Sequence, residues 1–431
     1  MKKPVILWFR NDLRVADNPA LDVAVKSGAP VLPIYIFDPL FWTAERASDR
    51  RRKFQLESLR DLAQALENLG SGLRIRSGNP AEILLHLAGE FGAQDVYATR
   101  EHTTEEVQRE AQVAEVLTLH LEEGMTLVHP EDLPFELQQL PDVFTRFRNK
   151  VEKDWVVCDS LLAPQSIFSP KGWCSDEIEF LAVADDSRGV LPFEGGAKAA
   201  HDRLTHYFWT KKRLAVYKKT RNGLLGADYS SKFSPWLANG CISPREVYDE
   251  IQRFEEEVER NESTYWLVFE LLWRDYFRFV AMRHGPRLFW KSGIKPVENR
   301  KGDVGPGASD NRAMRAFESW KTGHTQDAFV NANMRELQAT GFMSNRGRQN
   351  VASYLVHDLG VDWRWGAAYF EQQLIDYDPA SNWGNWAYIA GVGNDPRPNR
   401  KFNTRSQAER YDPDGKYIAH WSQPTLLNPV G

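Results

Sequence analysis

Residues 376–388, DYDPASNWGNWAY, combine two acids, two asparagines and two tryptophans within thirteen positions. Asp, Asn, Pro and Gly are typical of a turn, but a turn does not require Trp383 and Trp386. Indole rings carry a large apolar surface that is normally packed against other groups. The segment is therefore either a loop held to a core by its aromatic rings or one wall of a site for a large planar ligand.

A second group of polar residues lies inside an aromatic, helix-forming stretch, TYWLVFELLWRDYFRFVAMRHG (264–285). Glu270 and Arg274 are spaced as an i,i+4 pair, which contributes about 0.2–0.5 kcal/mol on an exposed helix face. Their helical neighbours are large and apolar, so the alternative is that at least one of them lines a polar cavity. The pattern leaves both interpretations open.

Two further segments offer groups for an anion. YSSKFSPWLANGCISPRE (229–246) joins serines and a lysine to a helix start, and free N–H groups at a helix start bind phosphate. TGFMSNRGRQN (340–350) supplies Asn345, Arg346 and Arg348. With the two acids of the first segment, these arginines are equally consistent with a structural salt-bridge network.

Charge is distributed unevenly along the 431-residue chain, whose composition is otherwise ordinary for a globular protein. Residues 1–200 hold 22 Lys+Arg against 32 Asp+Glu, whereas residues 201–431 hold 32 against 27. The stretch RLTHYFWTKKRLAVYKKTR (203–221) has seven basic residues and no acid. A solvated helix face explains an isolated basic run, but a bias over half of the chain favours an anionic partner.

Composition also bounds the cellular setting. No stretch reaches the ~18 consecutive apolar residues of a membrane span, and the N-terminal apolar run stops at Arg10, which indicates a first strand rather than a signal peptide. The three cysteines, Cys158, Cys174 and Cys241, are odd in number and lack metal-ligand spacing. These features predict a cytoplasmic protein with reduced cysteines, no metal and no membrane segment.

The first ~130 residues alternate short apolar runs with amphipathic stretches, a pattern typical of strands and helices in turn. We predict strands over 5–9, 31–37, 73–77 and 95–99, and helices over 17–28, 51–70 and 80–92. Such alternation indicates a doubly wound parallel sheet, whose ligands lie at the carboxyl ends of the strands. No Gly-rich loop follows the first strand, which argues against a dinucleotide site there.

The remainder divides into two regions. Residues 131–196 lose periodicity and repeat Pro, Ser, Asp and Gly, as in LLAPQSIFSPKGWCSD, which predicts a long connector laid over a surface. From about residue 197 helix signals dominate, although 292–311 is predicted to be a loop. The predicted organisation is therefore an α/β domain (1–130), a connector (131–196) and an all-α domain (197–431).

Five segments resemble the photolyase/cryptochrome family, and within it most closely the DASH cryptochromes. They occur in the family's order from Leu7 to Trp421 and are LWFRNDLRVADNPAL, DYSSKFSPWLANGCISPR, FELLWRDYFRF, NANMRELQATGFMSNRGRQNVASYL and DWRWGAAYFEQQLIDYDPASNWGNWAYIAGVGNDPR. The resemblance implies an antenna-binding α/β domain and an all-α domain that holds FAD in a folded, U-shaped conformation. Residues 376–388 then form one wall of a flavin pocket.

The resemblance also implies roles for individual residues around FAD. It places the ribityl and phosphate contacts at Tyr217, Ser230, Ser231, Lys232, Phe233 and Ser234. It places Asn345, Arg348, Asp376 and Asp378 around the isoalloxazine and adenine rings, with Glu270 and Arg274 in the same site. Asn382 falls where the family has the residue that faces flavin N5.

An electron-transfer chain is implied by the same alignment of motifs. Trp386 matches the tryptophan nearest the flavin, and Trp363 matches the next one outward. The third tryptophan has no counterpart where it is expected, around Asp310. Trp290, Trp320 or a tyrosine remain candidates for that position.

The substrate implied by the family is damaged DNA. Glu270 lies where family members hydrogen-bond the damaged bases, and Trp273 where they pack against them. Gln349 and Tyr388 follow the DASH pattern, which implies weaker capture of lesions in duplex DNA and better activity on single strands. The expected activity is that of a deoxyribodipyrimidine photo-lyase, and the expected partner of the monomer is single-stranded DNA with pyrimidine dimers.

Two other functions compete with repair. One is a blue-light photoreceptor that signals through flavin photoreduction and a protein partner; the chain ends at Gly431, ten residues after Trp421, so the signalling tail of plant and animal cryptochromes is expected to be absent. The other is a nucleic-acid-binding regulator, but no helix-turn-helix or zinc motif in the sequence supports that function.

An antenna chromophore is the last expectation. In REHTTEEVQRE (100–110), Glu105 resembles the pterin contact of folate-binding family members, which points to methenyltetrahydrofolate. A solvated helix start explains the same residues equally well.

Overall fold

The computed structural model describes residues 2–295, 311–394 and 401–423. Its N-terminal part contains a five-stranded parallel sheet in the order β3-β2-β1-β4-β5. The strands are β1 (Val5–Phe9), β2 (Val31–Phe37), β3 (Arg74–Ser77), β4 (Asp95–Thr99) and β5 (Thr118–Glu122). The predicted parallel sheet is confirmed, but β5 was not predicted. This edge strand alternates Thr118, His120 and Glu122 with leucines that are only partly buried, so it lacks the continuous apolar run of the inner strands.

Four helices cover the two faces of the sheet. They are α1 (Pro19–Lys26), α2 (Asp49–Asn68), α3 (Pro80–Phe91) and α4 (Thr104–Ala114). Three of them, α1, α2 and α3, have an N-cap side chain that accepts a backbone N–H of the first turn. The capping residues are Asn18, Ser48 and Asn79. In α1 and α3 a proline follows the cap, where its fixed φ suits the first helical turn.

The connector contains one helix that was not predicted, α5 (Phe144–Asp154). Elsewhere its chain lies on the sheet domain, where backbone hydrogen bonds join Leu161 O to Asp17 N (2.7 Å) and Phe168 O to Val31 N (2.7 Å). The expected surface course is therefore present. The domain boundaries at 130 and 196 stay a prediction.

In the C-terminal part, all regular secondary structure of the described residues is helical, as predicted. Its helices are α6 (Ala197–Thr205), α7 (Tyr217–Thr220), α8 (Ser234–Asn239), α9 (Pro244–Glu257), α10 (Glu262–His284), α11 (Asn311–Lys321), α12 (Ala328–Thr340), α13 (Asn345–Ser353), α14 (Trp363–Gln373), α15 (Pro379–Ile389), α16 (Thr404–Tyr411) and α17 (Lys416–Ser422). Within residues 2–295, 311–394 and 401–423, no helix is both long and apolar enough to cross a membrane. Most of the predicted loop 292–311, including the position at Asp310, lies outside the described residues.

Residues 376–388 are not a loop, which corrects one of the two interpretations of this segment. Asp378 caps α15 by accepting the N–H of Ser381 at 2.7 Å, and Pro379 occupies the first helical position. The residues that suggested a turn therefore start a helix, because Asp and Pro serve both purposes.

One apolar core joins the sheet domain to the helical domain. It includes Leu7 and Phe54 from the first and Tyr207 and Trp236 from the second. Polar contacts cross the same boundary, since the Arg14 guanidinium donates to the carbonyl of Gly240 at 3.0 Å. Gly240 has φ +67°, and a Cβ there would lie 2.0 Å from the carbonyl oxygen of Asn11. Glycine thus allows the close approach of the two domains.

Candidate functional site

A cavity of about 510 Å³ lies among the helices of the C-terminal part. Every residue predicted to contact FAD lines it: Tyr217, Ser230, Ser231, Lys232, Phe233, Ser234, Glu270, Arg274, Asn345, Arg348, Asp376, Asp378 and Asn382. The same walls include Trp386 and the predicted substrate residues Trp273, Gln349 and Tyr388. Segments far apart in sequence therefore meet at one site, whereas Trp363 and Glu105 do not line it.

The serine-rich loop at one side of this cavity is held from behind by Arg203 on α6. Its guanidinium donates to the carbonyls of Ser230 (3.1 Å) and Ser231 (2.9 Å) and pairs with Asp228 (2.8 Å). Lys232 follows with φ +58°, a left-handed conformation that is uncommon for a residue with a side chain. The loop conformation is thus imposed by tertiary contacts.

Lys232 carries a buried amine that has no hydrogen-bond acceptor among the described residues. Its side chain is 3% exposed, and Nζ lies 3.2 Å from the centroid of the Tyr229 ring. Burial, together with the charge of Arg203, lowers the pKa of Lys232 to about 6. A buried amine of this kind fits an anionic ligand group, because a phosphate oxygen supplies the missing acceptor.

Of the predicted salt-bridge network, Arg348–Asp376 is present, whereas Asp378 pairs with an arginine that the prediction did not include; both acids line the cavity. Arg348 donates to Asp376 Oδ2 at 2.7 Å, while the buried Oδ1 has no partner within the described part of the chain. Asp378 pairs with Arg278. Burial alone would raise the pKa of Asp378, but the positive charges of Arg278 and Arg274 hold it below its usual value. Asp376 Oδ1 is therefore available to accept an N–H of a ring system.

Asn382 is fixed against the neighbouring helix. Its Nδ2 donates to the carbonyl of Ala367 on α14 at 3.0 Å, which sets the orientation of the amide. Trp386, one helical turn after Asn382, packs just as closely on α14. A Cβ on Gly366 of that helix would lie 2.1 Å from the Trp386 ring. The close packing of α14 on α15 thus positions both residues.

Glu270 and Arg274 do not form the i,i+4 pair that was one interpretation of their spacing. Arg274 donates to the carbonyls of Met125 and Leu237, while Glu270 pairs with Arg221. Burial raises the pKa of Glu270, and Arg221 opposes that rise. Arg221 also lines the cavity and was not predicted. Its signal was the basic stretch 203–221, which it ends, but sequence alone does not show that this stretch reaches α10.

Trp273 and Tyr388 form a right-angled aromatic pair in the cavity wall. Their ring centroids lie 6.2 Å apart at an interplanar angle of 79°. Behind Trp273 the ring of Phe144 stacks almost parallel, with a centroid distance of 3.8 Å and an angle of 12°. Gln349 accepts a hydrogen bond from Arg346 at 2.9 Å. The predicted substrate residues therefore share one region of the site.

The tryptophans implied in electron transfer are buried and belong to one apolar cluster. Trp386 contacts Trp320 (6.1 Å between ring centroids) and Phe370 (5.1 Å). Trp363 contacts Trp383 at 5.8 Å and donates its Nε1–H to the carbonyl of Lys291. Of the candidates for the third position, Trp320 is thus in direct ring contact with Trp386.

Glu105 lies in the sheet domain, where its carboxylate is 40% exposed and pairs with Arg46 at 2.6 Å. A second, smaller cavity of about 70 Å³ lies near the carboxyl ends of β1 and β2, and its lining includes Glu101 and Glu106 but not Glu105. Burial raises the pKa of Glu106 to about 7. A folate contact at Glu105 stays a prediction, and sequence alone could not separate Glu105 from its neighbour.

Comparisons with known proteins agree with this arrangement. Residues 5–165 match the family model described as DNA photolyase, and residues 266–426 match the model described as FAD binding domain of DNA photolyase. A relative from Synechocystis, Cryptochrome DASH, is 45% identical over 99% of this chain and 88% of its own length. The chain therefore belongs to the photolyase/cryptochrome family, among proteins similar to the DASH cryptochromes.

Solved structures show the same relationship. The Synechocystis cryptochrome structure has a TM-score of 0.90 and 46% identity, and the match covers 98% of this chain and 89% of that one. A bacterial class III photolyase from Agrobacterium tumefaciens has a TM-score of 0.83 and 30% identity, with 98% and 86% coverage. The cofactor of this site is FAD. The unsatisfied Lys232 Nζ and Asp376 Oδ1 fit its diphosphate and its ring N–H groups.

Proposed function

We propose that this protein uses FAD and blue light to repair cyclobutane pyrimidine dimers, with a preference for single-stranded DNA. The observation that carries the proposal is that Glu270, Trp273 and Tyr388 line the same cavity as the flavin residues. When bound, reduced and light-excited FAD would lend an electron to the dimer and regain it once the two C–C bonds between the pyrimidines have broken, so that no net reductant is consumed. The protein's part is to bind the lesion beside it and to exclude water.

Glu270 and the Trp273–Tyr388 pair provide complementary surfaces for a dimer. The Glu270 carboxylate, which pairs with Arg221, offers an acceptor for a pyrimidine ring N–H. The two rings at 79° form an apolar corner for the fused pyrimidines. A lesion that stacks and pairs poorly is also cheaper to extrude than a normal base, which adds selectivity.

Photoreduction through Trp386 serves repair and photoreception alike, so the buried tryptophans do not separate the two functions. The residues proposed to contact the lesion do separate the two functions, because a photoreceptor needs neither Glu270 nor the Trp273–Tyr388 pair beside the flavin. We therefore place repair first and keep signalling through a protein partner as the alternative. The proposal includes that the protein is a monomer, that it is cytoplasmic and that its partner is DNA.

Repair is expected to depend on light and to favour single strands. A thymine dimer in single-stranded DNA requires no breaking of base pairs, whereas flipping from a duplex costs a few kcal/mol. The test compares repair of matched single- and double-stranded oligonucleotides, in light and in darkness, at one salt concentration. Equal repair of the two substrates would remove the strand preference, and repair in darkness or none in light would remove the photolyase assignment.

Glu270→Gln is expected to retain FAD and to lower the affinity for dimer-containing DNA by about 10-fold, since a hydrogen bond to the charged carboxylate, about 1.5–3 kcal/mol, becomes one to a neutral amide, about 0.5–1.5 kcal/mol. The amide keeps the shape of the side chain but loses the ion pair with Arg221. Glu262→Gln is the matched control, because that acid lies on the same helix and its carboxylate is exposed. Wild-type affinity in Glu270→Gln would contradict the site assignment.

A further inference from the structure

The connector helix α5 lies along α10 in a fixed antiparallel register. Three contacts, one helical turn apart, join the two helices. Glu152 accepts the Tyr265 hydroxyl at 2.5 Å, the Arg148 guanidinium lies 5.4 Å from the centroid of Phe269, and Phe144 stacks on Trp273 at 3.8 Å. Because residues four apart share one face of a helix, the face of α10 that carries Tyr265, Phe269 and Trp273 packs along one face of α5.

Phe144 packs on two residues of the cavity wall, Trp273 and Phe269, and it is the residue whose ring stacks on the indole. It is the first residue of α5 and is 4% exposed. Phe147 and Val151 anchor the same helix in a core shared with Tyr276. The position of the Phe144 ring is therefore fixed by the packing of α5 as a whole.

We propose that Phe144 is a positioning residue for Trp273, so that α5 is part of the substrate site and not only a link between domains. The consequence for substrate rests on the proposed function. Phe144 covers one face of the indole with a nearly parallel ring, so a ligand in the cavity cannot stack on that face. The same stack restricts rotation of the Trp273 side chain, and aromatic pairs contribute energy beyond their buried area. The platform is thus preorganised before DNA arrives.

The first test measures Trp273 itself and needs no DNA. The protein is labelled with 5-fluorotryptophan, and the ¹⁹F resonance of Trp273 is assigned with Trp273→Phe. We expect Phe144→Leu to shift or broaden this resonance and Phe144→Tyr, which keeps a ring, to restore it. Phe329→Leu is the matched control, because Phe329 is also buried but lies in a different apolar cluster, where it packs on Tyr417. An unchanged Trp273 resonance in Phe144→Leu would overturn the proposal.

The second test measures discrimination, the ratio of dissociation constants for undamaged and dimer-containing single strands. Phe144→Leu is expected to lower this ratio about 2- to 10-fold, the range for one aromatic pair, while FAD content and the ratio of the control Phe329→Leu stay at wild-type values. An equal loss in Phe329→Leu, or none in Phe144→Leu, would contradict the proposal. Should Phe144→Leu not fold, Phe144→Met, which fills irregular space, takes its place.

The two tests separate this proposal from the proposed function. If the wild-type protein does not discriminate dimers at all, repair of dimers is contradicted, whereas the ¹⁹F measurement still decides whether Phe144 positions Trp273. If the wild-type protein discriminates and the Phe144 variants do so equally well, only the positioning role is lost.

Discussion

Trp386→Phe is expected to abolish photoreduction of oxidised FAD, or to slow it more than 10-fold, without loss of the bound flavin. Trp386 lines the flavin cavity and is almost fully buried. Phenylalanine preserves an apolar ring but is far harder to oxidise than indole, so the first electron-transfer step is lost. Absorbance at the flavin bands during blue illumination with an external reductant measures the rate.

Two controls separate this effect from damage to the fold. Trp421→Phe removes another fully buried indole, in a different apolar cluster, and is expected to photoreduce normally. Chemically pre-reduced Trp386→Phe is expected to repair dimers, because electrons for repair come from the reduced flavin. Normal photoreduction in Trp386→Phe would remove this residue from the electron-transfer chain.

Trp320 and Trp363 offer two routes outward from Trp386 in this prediction. The family resemblance points to Trp363, whereas the ring contact at 6.1 Å points to Trp320. Each single change to Phe is expected to slow photoreduction less than Trp386→Phe does, because the other route remains. A double variant that behaves like either single variant would show that only one route operates.

The parts of the fold that sequence predicted are those whose environment is uniform along the segment. β1 and β2 are buried on both faces, so they appear as continuous apolar runs with the bounds that the structure has. β5 is an edge strand with polar residues at alternate positions, and α5 buries only one narrow face beside many charges. The alternation of β5 rests on two leucines and the helical pattern of α5 on Phe144, Phe147 and Val151, so each periodic signal is short, and both were missed.

The candidate site divides in a similar way. The residues of the flavin cavity were predicted because they lie in motifs that resemble a family, and the structure brings all of them to one cavity. Arg221 and Phe144 meet the same site through tertiary contacts, to Glu270 and Trp273 respectively. Such a contact joins segments that fold separately, and nothing in either segment identifies its partner. Only coordinates show it.

Lys232→Met is expected to weaken FAD binding about 10- to 100-fold, the range for a hydrogen bond to a charged group, and to make the flavin-free protein more stable. The two effects have opposite signs because Nζ is buried without an acceptor among the described residues, so the amine costs free energy until the diphosphate arrives. Titration of flavin fluorescence measures the affinity for FAD, and thermal unfolding measures the stability of the flavin-free protein. Lys211→Met, at an exposed position nearby in sequence, is the control and is expected to change neither.

The pH dependence of FAD binding gives the sharper test of Lys232. In the flavin-free protein its pKa is lowered to about 6, first by burial, and the negative charge of a bound diphosphate raises it. Between these two pKa values binding takes up a proton, so affinity is greatest near or below pH 6 and falls as pH rises, by up to about 10-fold per pH unit. Glu336, whose pKa burial raises to about 7, acts in the same direction, since the diphosphate disfavours its ionisation. The difference in slope between wild type and Lys232→Met therefore isolates the lysine. Equal slopes between pH 6 and pH 8 would show that Lys232 does not hold the cofactor's phosphates.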